Sequence, residues 1–244
     1  MTKIRSGCSW AGRKLFLMRM FNFYYLDKVD STNKAAQDYG YNSVIIAKEQ
    51  ASGKGRFART WDSRPGGLWF SVVLENRREA FEYTFIAALA VLKVLRHLKI
   101  STEIKWPNDV VVAGKKICGI LPEVVSQGDK GKMILGIGIN VNNKIPSFLR
   151  KSAVSLKEIK GSEFNLGLLV KKIIAKIQEL DKYSSEKILI EYKKNCSVLG
   201  KEVKAKSLKG IIYGKAIGIN KDGRLIIENK GRKLKLNEAD VSIL

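Results

Sequence analysis

The sequence is poor in the residues that metal enzymes and nucleophile–histidine enzymes use. Of its 244 residues, one is histidine and three are cysteine. Cys8, Cys118 and Cys196 are too widely spaced to suggest a disulfide framework or a zinc site, and this pattern is typical of the reducing cytoplasm. His97 falls within an apolar helical pattern, which indicates a packed or surface role rather than catalysis.

Long apolar runs are also missing. No stretch approaches the ~20 apolar residues that a membrane-spanning helix requires, so we expect no membrane association. The composition, 45% hydrophobic and 28% charged, is typical of a globular chain that buries a sizeable core. A length of 244 residues favours one large domain followed by a small one.

Negative charge is scarce as well. The chain has 45 Lys and Arg against 23 Asp and Glu, a net charge of +22. The excess is spread along the chain, which indicates a lysine-rich surface, although attraction of an acidic partner or nucleic acid stays open. Residues 1–20 hold five basic and no acidic residues, and we expect them to form a disordered basic leader.

The hydrophobic pattern predicts an α/β domain over residues 21–195 and a β domain over residues 196–244. The first domain should have a mixed, mainly antiparallel sheet flanked by helices. The Asp222-Gly223 and Lys230-Gly231 pairs predict hairpin turns in the second, which should be a small barrel. Strands are expected at 21–26, 43–49, 68–74, 103–106, 110–112, 116–125, 133–140, 202–205, 210–219, 224–228 and 233–236, and helices at 78–98, 166–183, 185–195 and from the Asp30-Ser31-Thr32 cap to Gly40.

The most informative segment is Gly53-Lys54-Gly55-Arg56-Phe57-Ala58-Arg59-Thr60-Trp61. Its glycines permit close backbone approach to a ligand, and its cations can neutralise phosphate or carboxylate oxygens. The segment also satisfies the G-x-G-x-x-A dinucleotide fingerprint, which works only when a helix follows to bind the pyrophosphate. Pro65, Gly66 and Gly67 follow instead, so a dehydrogenase is disfavoured.

Six motifs together resemble those of the biotin protein ligases, in order and at similar spacing. They are Asp30-Ser-Thr-Asn33, Glu49-Gln50, Gly53-Lys-Gly-Arg56 through Trp61, Lys105-Trp-Pro-Asn-Asp109, Lys116-Ile-Cys-Gly-Ile-Leu121 and Gly136-Ile-Gly-Ile-Asn140. The resemblance implies the biotin/lipoate ligase catalytic fold with a C-terminal SH3-like β barrel. It also implies an ATP-dependent ligase that forms biotinyl-5'-adenylate and transfers biotin to a lysine of a biotin carboxyl carrier domain.

The resemblance also assigns roles to individual residues. Arg56, Arg59 and Lys105 would be catalytic, and Arg59, Trp61 and Asn140 would bind ATP or the adenylate, with core packing as an alternative for Trp61. Mg²⁺ would arrive with ATP, without fixed protein ligands. Biotin would be bound by Ser31, Thr32, Asn33, Gln50, Gly53, Lys54, Gly55, Arg56 and Lys105.

Two positions depart from the family pattern. Lys54 stands where arginine is common, and Phe57-Ala58 stands where Arg-Gly is common in one branch, which makes the loop less basic and less flexible. Some relatives repress transcription through an N-terminal winged helix, and the 29 residues before Asp30 are too few for one. We therefore expect no specific DNA binding, and a homodimer is compatible with the family.

Three alternatives stay open at this point. A lipoate or octanoate ligase shares the wider fold, a basic nucleic-acid-binding protein would account for the charge, and the dehydrogenase would require a nicotinamide cofactor.

Overall fold

The larger of two β-sheets forms the centre of the molecule. The computed structural model describes residues 20–125, 131–207, 210–237 and 239–244, so the expected leader at 1–20 lies almost wholly outside the described residues. The strands of the large sheet are β1 (Asn22–Val29), β2 (Ser43–Gln50), β3 (Leu68–Glu75), β4 (Glu103–Lys105), β5 (Asp109–Val112), β6 (Lys115–Val125) and β7 (Lys132–Ile139). Their order is β1-β2-β3-β7-β6-β5-β4, and only β1 and β2 are parallel. The expected mixed, mainly antiparallel sheet is confirmed.

Five helices accompany this sheet in the described part of the chain. They are α1 (Thr32–Ala36), α2 (Ala80–His97), α3 (Leu156–Lys160), α4 (Leu166–Leu180) and α5 (Ser185–Lys194). Helix α2 is buried along most of its length and contacts α4, α5 and the sheet. Alternation along β2 separates the two faces, because Val44 and Ile46 join the main core while Ile45 packs in a second cluster with Ala36 of α1. Helix α1 covers only part of that second face, which leaves room for a cavity.

The helix expected from Arg78 begins two residues later. Glu79 is its N-cap and forms a capping box with Glu82. Arg78 is engaged elsewhere, because its Nε donates to Asp181 Oδ1 at 3.2 Å and its Nη2 donates to the carbonyl oxygens of Asp181 and Tyr183 at 2.7 and 2.9 Å. A contact so distant in sequence cannot be read from local periodicity.

Other boundaries also differ from the sequence-based expectation. Helix α1 ends at Ala36 rather than at Gly40, and turn-type hydrogen bonds such as Tyr39 N to Ala36 O continue the chain. The short helix α3 was not predicted, although Ser155 and Glu158 form a capping box. A tight turn at Ala113-Gly114 joins β5 and β6 as a hairpin, with both φ angles positive at 47° and 75°.

The second sheet is antiparallel and has five strands. They are β8 (Glu202–Ser207), β9 (Gly210–Ile219), β10 (Leu225–Asn229), β11 (Arg232–Leu236) and β12 (Asp240–Ile243), in the order β11-β10-β9-β8-β12. Strand β12 was missed because only Val241 in it is buried. The C-terminal residues therefore form an antiparallel sheet, with one more edge strand than the sequence predicted.

Hydrogen bonds join segments that lie next to the two sheets. Trp106 Nε1 donates to Gly223 O at 3.0 Å, and Ser197 N donates to Ile104 O at 2.8 Å. Apolar side chains of both sheets belong to one buried cluster, including Ile104 of β4 and Ile227 of β10. This junction fixes the C-terminal sheet beside the turn that follows β4.

Candidate active site

A cavity of about 500 Å³ opens on the face of the large sheet that α1 leaves uncovered. Its walls come from α1, the end of β2, the loop after β2, the β4–β5 turn, β6, β7 and the chain after β7. The C-terminal sheet closes one side through residues 239–241. The predicted site residues among its lining are Ser31, Thr32, Asn33, Gln50, Lys54, Gly55, Arg56, Arg59, Trp61, Lys105 and Asn140.

One end of the cavity is lined by Thr32, Asn33 and Gln50, which form a polar network with the buried Ser63 and Ser71. The backbone N–H of Thr32 donates to Gln50 Oε1 at 2.8 Å, and Gln50 Nε2 donates to Ser63 Oγ at 2.7 Å. Ser71 Oγ donates to Asn33 Oδ1 at 2.6 Å and lies 2.7 Å from Thr32 Oγ1. Because these groups fix one another, the hydroxyl of Thr32 and the amides of Asn33 and Gln50 are presented in defined orientations.

Ser31 both begins α1 and lines the cavity. Its Oγ accepts a hydrogen bond from Lys34 N at 3.1 Å, which is an N-cap contact. Helix capping and a role in ligand binding are therefore compatible at this residue.

Two glycines of β7 make room for neighbouring side chains. A Cβ on Gly136 would lie 2.3 Å from Asn33 Oδ1, and a Cβ on Gly138 would lie 2.5 Å from Trp61 Nε1. Both distances are far below van der Waals contact, so only glycine lets Asn33 and Trp61 occupy these positions.

The basic loop, residues 53–61, folds as a small hairpin rather than as a helix. Gly55 N donates to Arg59 O at 2.7 Å, and Trp61 N donates to Gly53 O at 2.8 Å. A three-residue 3-10 turn, Arg56–Ala58, forms the tip. A dinucleotide-binding helix is therefore not formed here, in agreement with the sequence-based expectation.

Gly53 differs from the other predicted binding residues. It is buried and does not belong to the cavity lining. A Cβ at this position would lie 2.5 Å from both Ser63 Oγ and Trp61 O. Gly53 therefore allows the hairpin to close on the polar network, without lining the cavity as the resemblance implied.

Cations surround the other end of the cavity. Arg56 Nη1 donates to Asn108 Oδ1 at 3.3 Å, so the turn after β4 orients this guanidinium. Lys54, Arg59 and Lys105 line the same space. Such a cluster can bind phosphate and carboxylate groups.

Lys116 is a further cation of the cavity for which the sequence assigned no role. Its Nζ lies 2.7 Å from Asp109 Oδ1 and 4.9 Å from the centre of the Trp61 ring. The residue belongs to a recognised motif, but nothing in its spacing distinguished it from Lys115, which is exposed. Only pairing of β5 with β6 brings Lys116 to Asp109.

Trp61 and Asn140 are fixed by the protein itself. The Trp61 ring meets Trp69 edge to face, with centroids 6.3 Å apart, while the residue also lines the cavity. Asn140 Oδ1 accepts from Asn143 Nδ2 at 3.1 Å, and Asn140 N donates to Ile117 O at 2.9 Å. Both side chains are therefore preorganised at the cavity wall.

The described residues contain neither a metal-ligand cluster nor a helix that could span a membrane. No group of three His, Cys, Asp or Glu side chains that could hold a metal ion occurs there. Within the same residues, no helix combines the length and the apolar character needed to cross a membrane.

Comparison with known proteins gives a consistent result. Residues 25–140 match the biotin/lipoate A/B protein ligase family model, and residues 198–244 match the biotin protein ligase C-terminal domain model. A bifunctional ligase/repressor BirA from Bacillus spizizenii is 31% identical over 237 residues, which are 90% of this chain and 73% of that protein. A biotin--[acetyl-CoA-carboxylase] ligase from Mycobacterium tuberculosis is 27% identical over 211 residues, covering 81% of this chain and 77% of the relative.

A solved structure agrees over nearly its whole length. The biotin protein ligase from Aquifex aeolicus in complex with biotin and ATP has a TM-score of 0.83 and 30% identity, covering 91% of this chain and 99% of that chain. The fold, the motifs and the similarity along most of the sequence point to one family. The chain belongs to the biotin protein ligase family.

Proposed function

We propose that the protein activates biotin with ATP and transfers it to a lysine of a biotin carboxyl carrier domain. The observation that carries this proposal is the division of one cavity into a network of hydroxyl and amide groups and a cluster of cations. Biotin has a polar ureido ring at one end and a carboxylate at the other, and ATP brings the phosphates that the cations would bind.

The polar network favours biotin over lipoate or octanoate. A ureido group offers two N–H donors and a carbonyl acceptor, and Thr32, Asn33 and Gln50 can complement both. A dithiolane ring or an alkyl chain has no N–H or C=O groups with which to use the remaining hydrogen-bonding capacity of these side chains. A lipoate or octanoate ligase is therefore the less favoured member of the same superfamily.

The first step joins two anions. A carboxylate oxygen of biotin attacks the α-phosphorus of ATP, and the bond from that phosphorus to the bridging oxygen breaks to release pyrophosphate. Lys105, Lys116, Arg56 and Arg59 would lower the repulsion between carboxylate and triphosphate and stabilise charge in the transition state. A carboxylate is already a nucleophile, so this step needs no histidine.

The second step releases AMP. The uncharged amine of the carrier lysine attacks the acyl carbon of the biotinyl adenylate, and the bond from the carbonyl carbon to the phosphate oxygen breaks. The amine proton leaves with solvent or a nearby base. The basic loop closes the cavity beside the cations, so it would shield the mixed anhydride from water.

Mg²⁺ would enter with the nucleotide. Mg²⁺ usually binds substrate phosphates with one or two carboxylates and water, and Asp109, in the cavity wall beside Lys116, would supply such a carboxylate. This residue fits an ion that is carried by ATP and polarises its phosphates.

The test measures both half-reactions. Purified protein is incubated with biotin and MgATP, pyrophosphate is followed, and biotin transfer to a carrier domain is then recorded. Lys105→Ala and Lys116→Ala should each slow adenylate formation by roughly 10²–10³-fold, the typical cost of losing one transition-state contact. Lys115→Ala, at the exposed neighbouring position, is the matched control. If Lys105→Ala labels the carrier as fast as the wild type, the assigned mechanism is wrong.

Three finer features belong to the same proposal. The protein would work in the cytoplasm, without sequence-specific DNA binding and in a form compatible with a homodimer. Operator binding that survives moderate salt would contradict this, because binding through general charge weakens steeply with salt.

A further inference from the structure

The basic loop is tied to the C-terminal sheet by an ion pair. Arg59 Nη2 lies 3.1 Å from Asp240 Oδ2, and the two side chains are 58% and 46% exposed. Both residues line the cavity. Asp240 opens β12, which pairs with β8 through Asp240 and Lys206. Because the junction at Trp106 and Gly223 fixes this sheet, the carboxylate of Asp240 is held at the cavity mouth.

A carboxylate at this place opposes the ligand that the cavity would take. Asp109 already offsets Lys116, and Asp240 adds a second negative charge where phosphates would enter. The effect depends on how firmly Asp240 keeps its partner. Exposed ion pairs contribute only about 0–1 kcal/mol, whereas arginine binds phosphate through two parallel hydrogen bonds. A phosphate group can therefore displace Asp240 from Arg59.

The backbone next to this pair indicates that the contact also shapes the loop. Phe57 and Ala58 have φ angles of 57° and 55°, in the left-handed region that non-glycine residues adopt at a cost of roughly 1–3 kcal/mol. Their neighbours on either side are anchored, Arg56 to Asn108 and Arg59 to Asp240. Release of Arg59 would free one of two anchors beside a strained tip.

We propose that Asp240 is a positioning residue that holds Arg59 at the cavity mouth in the ligand-free protein and yields it to a phosphate when ATP binds. One ion pair breaks and another forms, without covalent change. Asp240 takes Arg59 back when pyrophosphate leaves, so the C-terminal sheet promotes product release. This inference rests on the proposed function, because it requires the cavity to bind ATP.

The test removes the charge of Asp240 while keeping its shape. Asp240→Asn should lower both the Kd for ATP and the inhibition constant of pyrophosphate roughly two- to fivefold, the range expected for one exposed pair. The KM for biotin should not change, because the polar network does not contact Asp240. Asp38→Asn, at an exposed position of the turn after α1, controls for the change in net charge.

Two further variants identify the route of the effect. Asp240→Glu keeps a carboxylate and should stay close to the wild type. In an Arg59→Ala background, Asp240→Asn should change ATP affinity much less, because Asp240 acts through Arg59. Weaker ATP binding by Asp240→Asn, or a change no larger than that of Asp38→Asn, would overturn the proposal. ATP binding is measured by calorimetry without biotin. Failure of this proposal is therefore distinguishable from failure of the proposed function, which would appear as a wild-type protein that releases no pyrophosphate when biotin is added.

Discussion

Single atoms decide the shape of the cavity. The α-carbons of Gly136 and Gly138 face Asn33 and Trp61 so closely that a methyl group would displace either side chain. Because these glycines have no side chains, they leave the space that the Asn33 amide and the Trp61 indole occupy.

A Gly138→Ala substitution tests this point. The added Cβ would lie 2.5 Å from Trp61 Nε1, so the indole must move, and we expect ATP-dependent adenylate formation to fall at least tenfold with a loss of stability of about 1–3 kcal/mol, as in other overpacked sites. Gly218→Ala is the matched control, because that strand glycine has nothing within 4 Å of an added Cβ. Equal activity of the two variants would contradict the assigned geometry. Adenylate formation and urea unfolding are the measurements.

Among the elements, the sequence predicted those with a repeating buried face and missed those held by distant contacts. Strands β2, β3 and β7 carry apolar runs that are almost entirely buried, which is a local signal. Helix α3 and strand β12 are short and mostly exposed, so their formation depends on neighbours far along the chain.

The candidate site was also predictable only in part, where its residues belong to local motifs. Short motifs identified Thr32, Gln50 and the basic loop, because hydroxyl, amide and basic groups stand at set distances in sequence. The support from Ser71 and the partner Asp240 were not predictable. Each reaches the site through strand pairing, and neither belongs to a motif.

Two elements can be probed through their cysteines. Cys118 lies within β6 and Cys196 just after α5, and both are buried. Burial raises the pKa of the Cys196 thiol to about 11 from 9.0 and raises the pKa of the Cys118 thiol as well. We expect neither thiol to react with iodoacetamide at pH 8 in the folded protein, because attack requires an exposed thiolate.

Peptide mass spectrometry would check this expectation, with a sample in urea as the control in which both cysteines react. Labelling of Cys118 at the same rate with and without urea would show that β6 opens readily, contrary to its place inside the sheet.

The raised pKa values of the two thiols also mean that the folded state keeps protons that the unfolded state loses above about pH 9, so the stability of the fold falls as the pH rises from there.

At the scale of the whole molecule, the two sheets share one apolar core. The cluster that contains Leu89 and Ile104 continues into Val203 and Ile227, so neither sheet buries its side chains alone. The boundary predicted at residue 196 therefore marks a change in the sequence pattern. It does not divide the apolar core, which contains side chains from both sides of it.

Shared packing predicts a single unfolding transition. Trp61, Trp69 and Trp106 lie in or beside the first sheet, so their fluorescence reports that sheet, while hydrogen exchange of β9 peptides reports the second. We expect the same denaturant midpoint by both probes. Trp106→Phe loses the hydrogen bond to Gly223, which should lower the free energy of unfolding by about 1–3 kcal/mol. Both midpoints should then fall together. Separate midpoints in the wild type would contradict the shared core.

The contribution of β12 to the cavity has a consequence for synthesis. Chains fold from the N-terminal side while they are made, and the large sheet is complete at Ile139. The wall formed by residues 239–241 is then still about one hundred residues from being translated. Because both sheets share one apolar core, a nascent chain of that length would contain the residues of the basic loop, the polar network and Lys105 without the packing and the wall that enclose the site. The site would become able to hold the reactive adenylate only when β12 has been made. An unfinished chain would therefore not form an adenylate and release it.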